Sequence, residues 1–146
     1  MERPAYFRFH QGPRVLPFAP EEYETRLSGL RERMADAGVE VAFFTSMHNI
    51  AYYSGFLYCA FGRPYGLVVT ATDSVTISAG IDGGQPWRRC HGDNLTYTDW
   101  ARDNFWRAVA KVAGSGRTLG FEGDHLTLGQ SEKLDAFLRP RARVDL

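Results

Sequence analysis

An uninterrupted apolar run, Val41–Phe44, limits the folds open to this chain more than any other feature. The run lies within the β-branched and aromatic segment 39–45, and a strand without polar positions must be covered on both of its faces. An amphipathic helix pattern precedes it, beginning at Pro20, which suits the first helical position, and ending at Gly38. The apolar face of this helix comprises Tyr23, Leu27, Leu30 and Met34. These patterns predict a buried central strand that follows a helix.

Strand and helix patterns alternate along the rest of the chain. Residues 66–70 and 75–79 flank the polar segment 71–74, which predicts a hairpin and an antiparallel pair. Further strands are expected at 95–98, 118–121 and 143–146, and further helices at 46–54, 100–112 and after 127. Capping signals are Ser46, Gly55, Asp99 and the Thr127/Gln130 pair. The predicted fold class is α/β, a mixed β-sheet of about five or six strands flanked by helices, with 1–19 as an extended N-terminal arm and 20–146 as the α/β domain.

Composition excludes several classes of function. The 146 residues suffice for one domain, and 17 Lys plus Arg balance 17 Asp plus Glu, so no net field favours nucleic acid or an anionic membrane. No apolar run approaches the roughly 18 residues of a membrane span. The cysteines, Cys59 and Cys90, form no metal or disulfide pattern, which fits a reducing cytoplasm. No glycine-rich phosphate motif supports nucleotide binding.

No residue cluster in the sequence predicts a metal or catalytic centre. The histidines His10, His48, His91 and His125 are spread singly, so neither a metal nor a cofactor is expected. His48 could hold a proton near a helix start, but capping or packing is the favoured interpretation. Glu122 and Asp124 have the spacing of a metal or acid/base pair, yet capping of the next helix by Asp124 explains that residue more simply. Cys59 is interpreted as a small buried apolar residue.

The segment Phe61–Tyr65 is the strongest candidate for ligand binding. Arg63 stands between Gly62, which lets the backbone approach closely, and Pro64, which stiffens the loop. A guanidinium presented in this way can bind a carboxylate through two parallel hydrogen bonds, while the aromatic residues at both ends of the segment offer faces to a cation. These features suit a small zwitterion. A structural salt bridge from Arg63 to a neighbouring loop is the alternative.

A second candidate segment, 83–89, contains a proline followed by Trp87, Arg88 and Arg89. A tryptophan beside arginines is typical of an anchor at a protein interface, so these three residues are predicted interface residues. Packing of Trp87 beneath its own loop is the alternative.

Several stretches closely resemble creatinases, the creatine amidinohydrolases. The longest is 45–65, which includes the Phe61–Tyr65 segment, and others are 81–89, 97–104 and 124–126. The similarity runs from about Tyr23 to the end of the chain, and it points to creatinases within the wider group of prolidases and aminopeptidases P.

The resemblance implies an N-terminal α/β domain whose partner, a C-terminal pita-bread catalytic domain, is absent from this chain. It implies hydrolysis of creatine to sarcosine and urea without a metal, in a homodimer, and the expected location is the cytoplasm, as the cysteine content indicates. The catalytic histidine belongs to the larger domain and no residue here matches it, so the isolated chain is expected to be inactive. Phe61 and Arg63 match substrate-contacting residues that reach the active site of the neighbouring subunit, where the arginine meets the creatine carboxylate. The alternatives are a noncatalytic interaction module or the N-terminal domain of a related ectoine hydrolase or Xaa-Pro peptidase.

Overall fold

The strand Val41–Phe44 is an inner strand of a mixed sheet, and all four of its residues are buried, as the apolar run predicts. The structure is a computed structural model that describes residues 3–58 and 62–146. Its strands are β1 (Tyr6–Phe7), β2 (Val41–Phe44), β3 (Gly66–Val69), β4 (Ser74–Ala79), β5 (Asp93–Tyr97), β6 (Thr118–Phe121) and β7 (Ala142–Asp145). Its helices are α1 (Pro20–Asp36), α2 (Met47–Ser54), α3 (Gln85–Arg89), α4 (Asn104–Ala113) and α5 (Leu128–Leu138), with a 3₁₀ turn at Gly80–Asp82.

The seven strands form one sheet in the order β1-β5-β4-β3-β2-β6-β7. The pairs β1/β5, β3/β4 and β2/β3 are antiparallel, whereas β4/β5, β2/β6 and β6/β7 are parallel. The hairpin predicted around 71–74 joins β3 to β4. The mixed α/β fold is therefore confirmed, with one strand more than expected because two arm residues, Tyr6 and Phe7, pair with the edge of β5.

Helices cover both faces of the sheet. On one face, α1 and α2 pack over Ala42 and Phe44 of β2, together with Leu67 and Val69 of β3. On the other face, α4 and α5 pack over Val41 and Phe43 and over the apolar side chains of β4 and β5. Alternate residues of β2 thus face opposite helical layers, and this is why the strand carries no polar residue.

The helix α4 begins later than the sequence predicts. Asp99 was the expected cap of a helix starting near Trp100, but the helix starts at Asn104 with Asp103 as its N-cap residue, at φ 69°. The Asn104 Nδ2 donates to the carbonyl oxygen of Thr98 at 3.0 Å, which ties the helix start to the end of β5. The residues between them form a turn that leaves Asp99 available for another contact.

The segment between β4 and β5, predicted as a loop, contains the 3₁₀ turn and the short helix α3. Because β4 and β5 run parallel, the chain between them must return to the end of the sheet at which β4 begins. Parallel strands need such a crossover. Pro86 lies in the first turn of α3, where its fixed φ suits a helix start. The caps predicted at Ser46 and Thr127 are confirmed, the latter as a complete capping box.

Candidate functional site

Arg63 lies at the end of the sheet where the parallel strands β4 and β5 finish. Asp82 ends the turn that follows β4, and Asp99 lies two residues beyond β5. The carboxyl ends of parallel strands are the usual place for ligand sites in α/β folds, because side chains from successive loops meet there.

The guanidinium of Arg63 forms an ion pair with the carboxylate of Asp99 through Nη1. The two side chains are 39% and 49% exposed, so the pair lies at the surface and borders a cleft of about 360 Å³. The hydrogen bond that the guanidinium donates to Asp99 raises the pKa of Arg63. The salt bridge that the sequence left as an alternative is therefore present, while half-exposed donors remain on the arginine.

The residues on the two sides of Arg63 shape its backbone in different ways. Gly62 has a φ of 89°, a conformation that a side-chain-bearing residue rarely adopts, so here the glycine serves a turn rather than a close approach. On the other side, the carbonyl oxygen of Pro64 accepts a hydrogen bond of 2.6 Å from the buried Tyr97 hydroxyl. Burial raises the pKa of Tyr97, so this hydroxyl stays protonated and donates. This hydrogen bond holds Pro64 against the end of β5.

Tyr65 does not offer a ligand the open aromatic face that the sequence predicts. Tyr65 is 5% exposed and its hydroxyl donates to the carbonyl oxygen of Tyr58 at 2.8 Å, so it is part of the core and offers no open face to a ligand. Its ring packs edge-on against Tyr58 and Phe56. Phe61, the other predicted substrate-binding residue, lies outside the described residues.

Asp82 lies near Arg63, although the motifs in the sequence do not predict it as a site residue. Burial raises the pKa of its carboxyl group, against the opposing effects of a hydrogen bond from Tyr58 and the charge of Arg63. Within the described residues its Oδ2 is buried and has no hydrogen-bond partner. Its position and that of Asp99, each just after a parallel strand, is the sequence signal that could have identified both residues.

Glu122 is a structural residue rather than half of an acid/base pair. It accepts hydrogen bonds from the backbone N–H groups of Thr45 and Ser46, at 2.6 and 2.8 Å, and from Asn49 Nδ2 at 2.7 Å. Burial alone would raise the pKa of Glu122, but these hydrogen bonds outweigh it and lower the pKa. Asp124 is exposed, and Thr127, not Asp124, caps α5.

The carboxylate of Glu122 also borders a groove of about 740 Å³ between α1, α2 and the ends of β6 and β7. In many α/β folds this position, at the start of a helix after a parallel strand, receives an anionic ligand. Here the Glu122 carboxylate already occupies the amides that would bind it. His48 is exposed beside this groove, and the cap of α2 is the Ser46 side chain, which accepts from Asn49 N. Neither Glu122 nor His48 therefore indicates a catalytic role for the groove.

The predicted interface residues lie on α3, against the N-terminal arm (residues 3–19 in the structure). The Trp87 ring stacks on His10, with centroids 3.7 Å apart, and the Arg14 guanidinium lies 3.3 Å from the centroid of the Trp87 ring. The carbonyl oxygen of Arg88 accepts from Val15 N at 2.8 Å, and Arg89 is exposed. Trp87 is thus engaged within the chain, and its contact with another subunit stays a prediction.

No group of three or more metal-ligating side chains comes together within 3–58 and 62–146. In the same part of the chain, no helix is both long and apolar enough to cross a membrane. Cys90 is buried, and burial raises the pKa of its thiol, which makes it unreactive as a thiolate.

Comparison with known proteins identifies close relatives of this chain. Residues 26–145 match the family model described as Creatinase/Prolidase N-terminal domain. Creatinase from Bacillus sp. (strain B-0618) is 49% identical over 140 residues, which span 92% of this chain and 34% of that protein. The chain therefore corresponds to about a third of the length of that relative.

Solved structures share the fold. The creatinase/prolidase N-terminal domain of an X-Pro dipeptidase from Streptococcus pyogenes has a TM-score of 0.74 at 20% identity, covering 84% of this chain and 93% of that one. The prolidase from Pyrococcus horikoshii OT3 has a TM-score of 0.68 at 15% identity, covering 84% of this chain and 32% of that one. At these identities the comparison establishes the architecture alone.

Proposed function

Because the chain belongs to the creatinase/prolidase N-terminal domain family, we propose that it is the N-terminal domain of a creatinase-like amidinohydrolase and supplies Arg63 to bind the substrate carboxylate. The observation that carries this proposal is the presentation of Arg63. Pro64 is hydrogen-bonded to Tyr97 of β5, the guanidinium is paired with Asp99, and the Arg63 side chain remains 39% exposed at a cleft. A rigid, accessible guanidinium is the group best suited to bidentate carboxylate recognition.

Creatine is the substrate we propose, because 49% identity favours creatinase over the more distant dipeptidases. Water would add to the guanidino carbon, and the bond from that carbon to the sarcosine nitrogen would break to give urea and sarcosine. The general acid or base for this reaction would come from a C-terminal catalytic domain. Arg63 would hold the far end of the substrate across the interface of a homodimer, and Phe61 is the second residue that we propose for substrate binding.

The test is the creatine dependence of urea release by the full-length protein that carries this domain. Arg63→Ala should lower kcat/KM by at least about 30-fold, since it leaves a desolvated carboxylate without its partner. Most of the loss should be a raised KM, because the carboxylate is remote from the bond that breaks. Arg63→Lys should also be impaired, because lysine cannot form two parallel hydrogen bonds. Arg117→Ala, a change of an exposed arginine before β6, is the matched control.

Mixed dimers test the location of the site. One subunit would carry Arg63→Ala and the other a substitution of the catalytic histidine in the C-terminal domain. If Arg63 acts across the interface, the mixed dimer retains one intact composite site and recovers activity above both parents. Activity no higher than that of the parents would refute action across the interface, and an unchanged KM in Arg63→Ala would refute the carboxylate role.

A further inference from the structure

A contribution to the stability of the folded chain does not account for the Arg63–Asp99 ion pair. Both side chains are well exposed, and exposed ion pairs contribute little to the stability of a folded chain. Asp99 engages Nη1, and within the described residues no second ion-pair partner of Arg63 is present. The guanidinium has five N–H donors in a planar fork, so one carboxylate on Nη1 leaves donors for a second carboxylate.

Asp99 lies between two residues that are hydrogen-bonded to other parts of the fold. The preceding residue, Thr98, donates from its backbone N–H to the Ala5 carbonyl oxygen at 2.9 Å, and its own carbonyl oxygen accepts from Asn104 Nδ2 at 3.0 Å. The following residue, Trp100, donates from Nε1 to the Pro4 carbonyl oxygen at 2.6 Å. These bonds anchor Asp99 on both sides to the arm and to α4.

A second contact joins the end of β5 to the segment that contains Arg63. The Tyr97 hydroxyl donates to the Pro64 carbonyl oxygen at 2.6 Å. Tyr97 thus fixes the backbone next to Arg63, whereas Asp99 fixes the end of its side chain. Contacts from the end of β5 therefore reach both the backbone next to Arg63 and its guanidinium.

We propose that Asp99 is a positioning residue, which orients the guanidinium of Arg63 so that its remaining N–H donors face the carboxylate of the substrate. This inference rests on the proposed function, in which Arg63 binds that carboxylate. Preorganisation of this kind lowers the entropy that a long side chain loses when it binds, so it strengthens binding without touching the substrate. Asp99 accordingly contributes to KM rather than to the chemical step.

The first experiment measures the order of the Arg63 side chain directly. In the 146-residue chain, which has its own apolar core on each face of the sheet, the ¹⁵N–¹H heteronuclear NOE of Arg63 Nε should fall in Asp99→Asn. Asp103→Asn is the matched control, because it removes a charge from the same turn, paired with Lys133 at 2.9 Å, and asparagine tolerates the positive φ of that position. An Arg63 signal unchanged by Asp99→Asn would overturn the proposal.

The second experiment is a double-mutant cycle in the full-length protein. Asp99→Asn should raise the KM for creatine about two- to fivefold, the range expected for one exposed ion pair, with kcat unchanged. In the Arg63→Ala background the same substitution should change nothing further, because Asp99 acts through Arg63. Asp103→Asn should leave KM as it is in both backgrounds.

The other outcomes discriminate between explanations. An equal rise of KM in both backgrounds would mean that Asp99 only supports the loop, and a lower KM in Asp99→Asn would mean that Asp99 competes with the substrate. Either result overturns the positioning role. An unchanged KM in Arg63→Ala would refute the proposed function separately, since the NOE still reports what Asp99 does to Arg63.

Discussion

Removal of the Glu122 carboxylate should destabilise the connection between β6 and α2. Glu122 is 5% exposed and accepts three hydrogen bonds, two of them from the backbone N–H groups of Thr45 and Ser46. A carboxylate at this place also interacts favourably with the N-terminal end of the α2 dipole. Substitution therefore affects both the hydrogen bonds and the charge.

The expected loss of unfolding free energy depends on which hydrogen-bond donors each substitution leaves unsatisfied. Glu122→Ala leaves two backbone donors without an acceptor, and at about 1–3 kcal/mol for each unsatisfied buried group it should lower the free energy of unfolding by about 2–6 kcal/mol. Glu122→Gln keeps an acceptor but loses the charge, so it should cost about 1–2 kcal/mol. For a chain of this size the alanine variant should melt roughly 5–15 °C below the unsubstituted chain.

The assay is urea denaturation followed by circular dichroism, repeated at intervals from pH 7 down to pH 3.5. The pKa of Glu122 is lower in the folded chain than its ordinary value of 4.5. Its stabilising contribution is therefore complete above pH 4.5 and is lost as the pH falls through the lower folded pKa. The difference between the unsubstituted chain and Glu122→Gln should shrink over that acidic interval.

The control is Asp124→Asn, which removes the same charge from an exposed position two residues away and should leave the unfolding free energy within about 0.5 kcal/mol of the original. If Glu122→Ala is no less stable than Asp124→Asn, the hydrogen bonds to α2 do not contribute as argued. A difference from Glu122→Gln that grows as the pH falls would contradict the sign of the pKa shift.

Two further predictions concern β5 and its neighbours. Tyr97→Phe removes the hydrogen bond to the Pro64 carbonyl oxygen and should lower the free energy of unfolding by about 1 kcal/mol, as thermal denaturation would measure. Asp93→Asn should loosen the N-terminal arm, because the Asp93 carboxylate contacts His10 Nε2 at 2.8 Å and Arg8 Nε at 3.0 Å, and trypsin should cut within the arm about two- to fivefold faster.

Each of these has a matched comparison on the surface. Tyr52→Phe alters an exposed tyrosine ring, and Asp36→Asn removes an exposed charge near the end of α1. Equal melting temperatures for Tyr97→Phe and Tyr52→Phe would argue against the loop contact. Equal rates of arm cleavage in Asp93→Asn and Asp36→Asn would show that the arm is held by its aromatic contacts instead.

The sequence predicted the elements whose signals lie within a few residues of one another. The apolar run of β2 indicated a strand covered on both faces, and alternate residues do face two helical layers. Ser46 and Thr127 cap the helices they precede, since a cap needs only a side-chain oxygen and an amide two or three residues away.

The tertiary structure alone decided the contacts between distant residues. Local rules predict Asp99 as a helix cap, but in the structure it forms an ion pair with Arg63. They predict Glu122 as half of an acidic pair, but it binds the backbone N–H groups of Thr45 and Ser46, which precede it by 77 and 76 residues. The two-residue strand β1 forms because the edge of β5 is open to it. Such roles depend on which strands become neighbours in the sheet, and that order is set by burial of the whole apolar surface, which no short segment encodes.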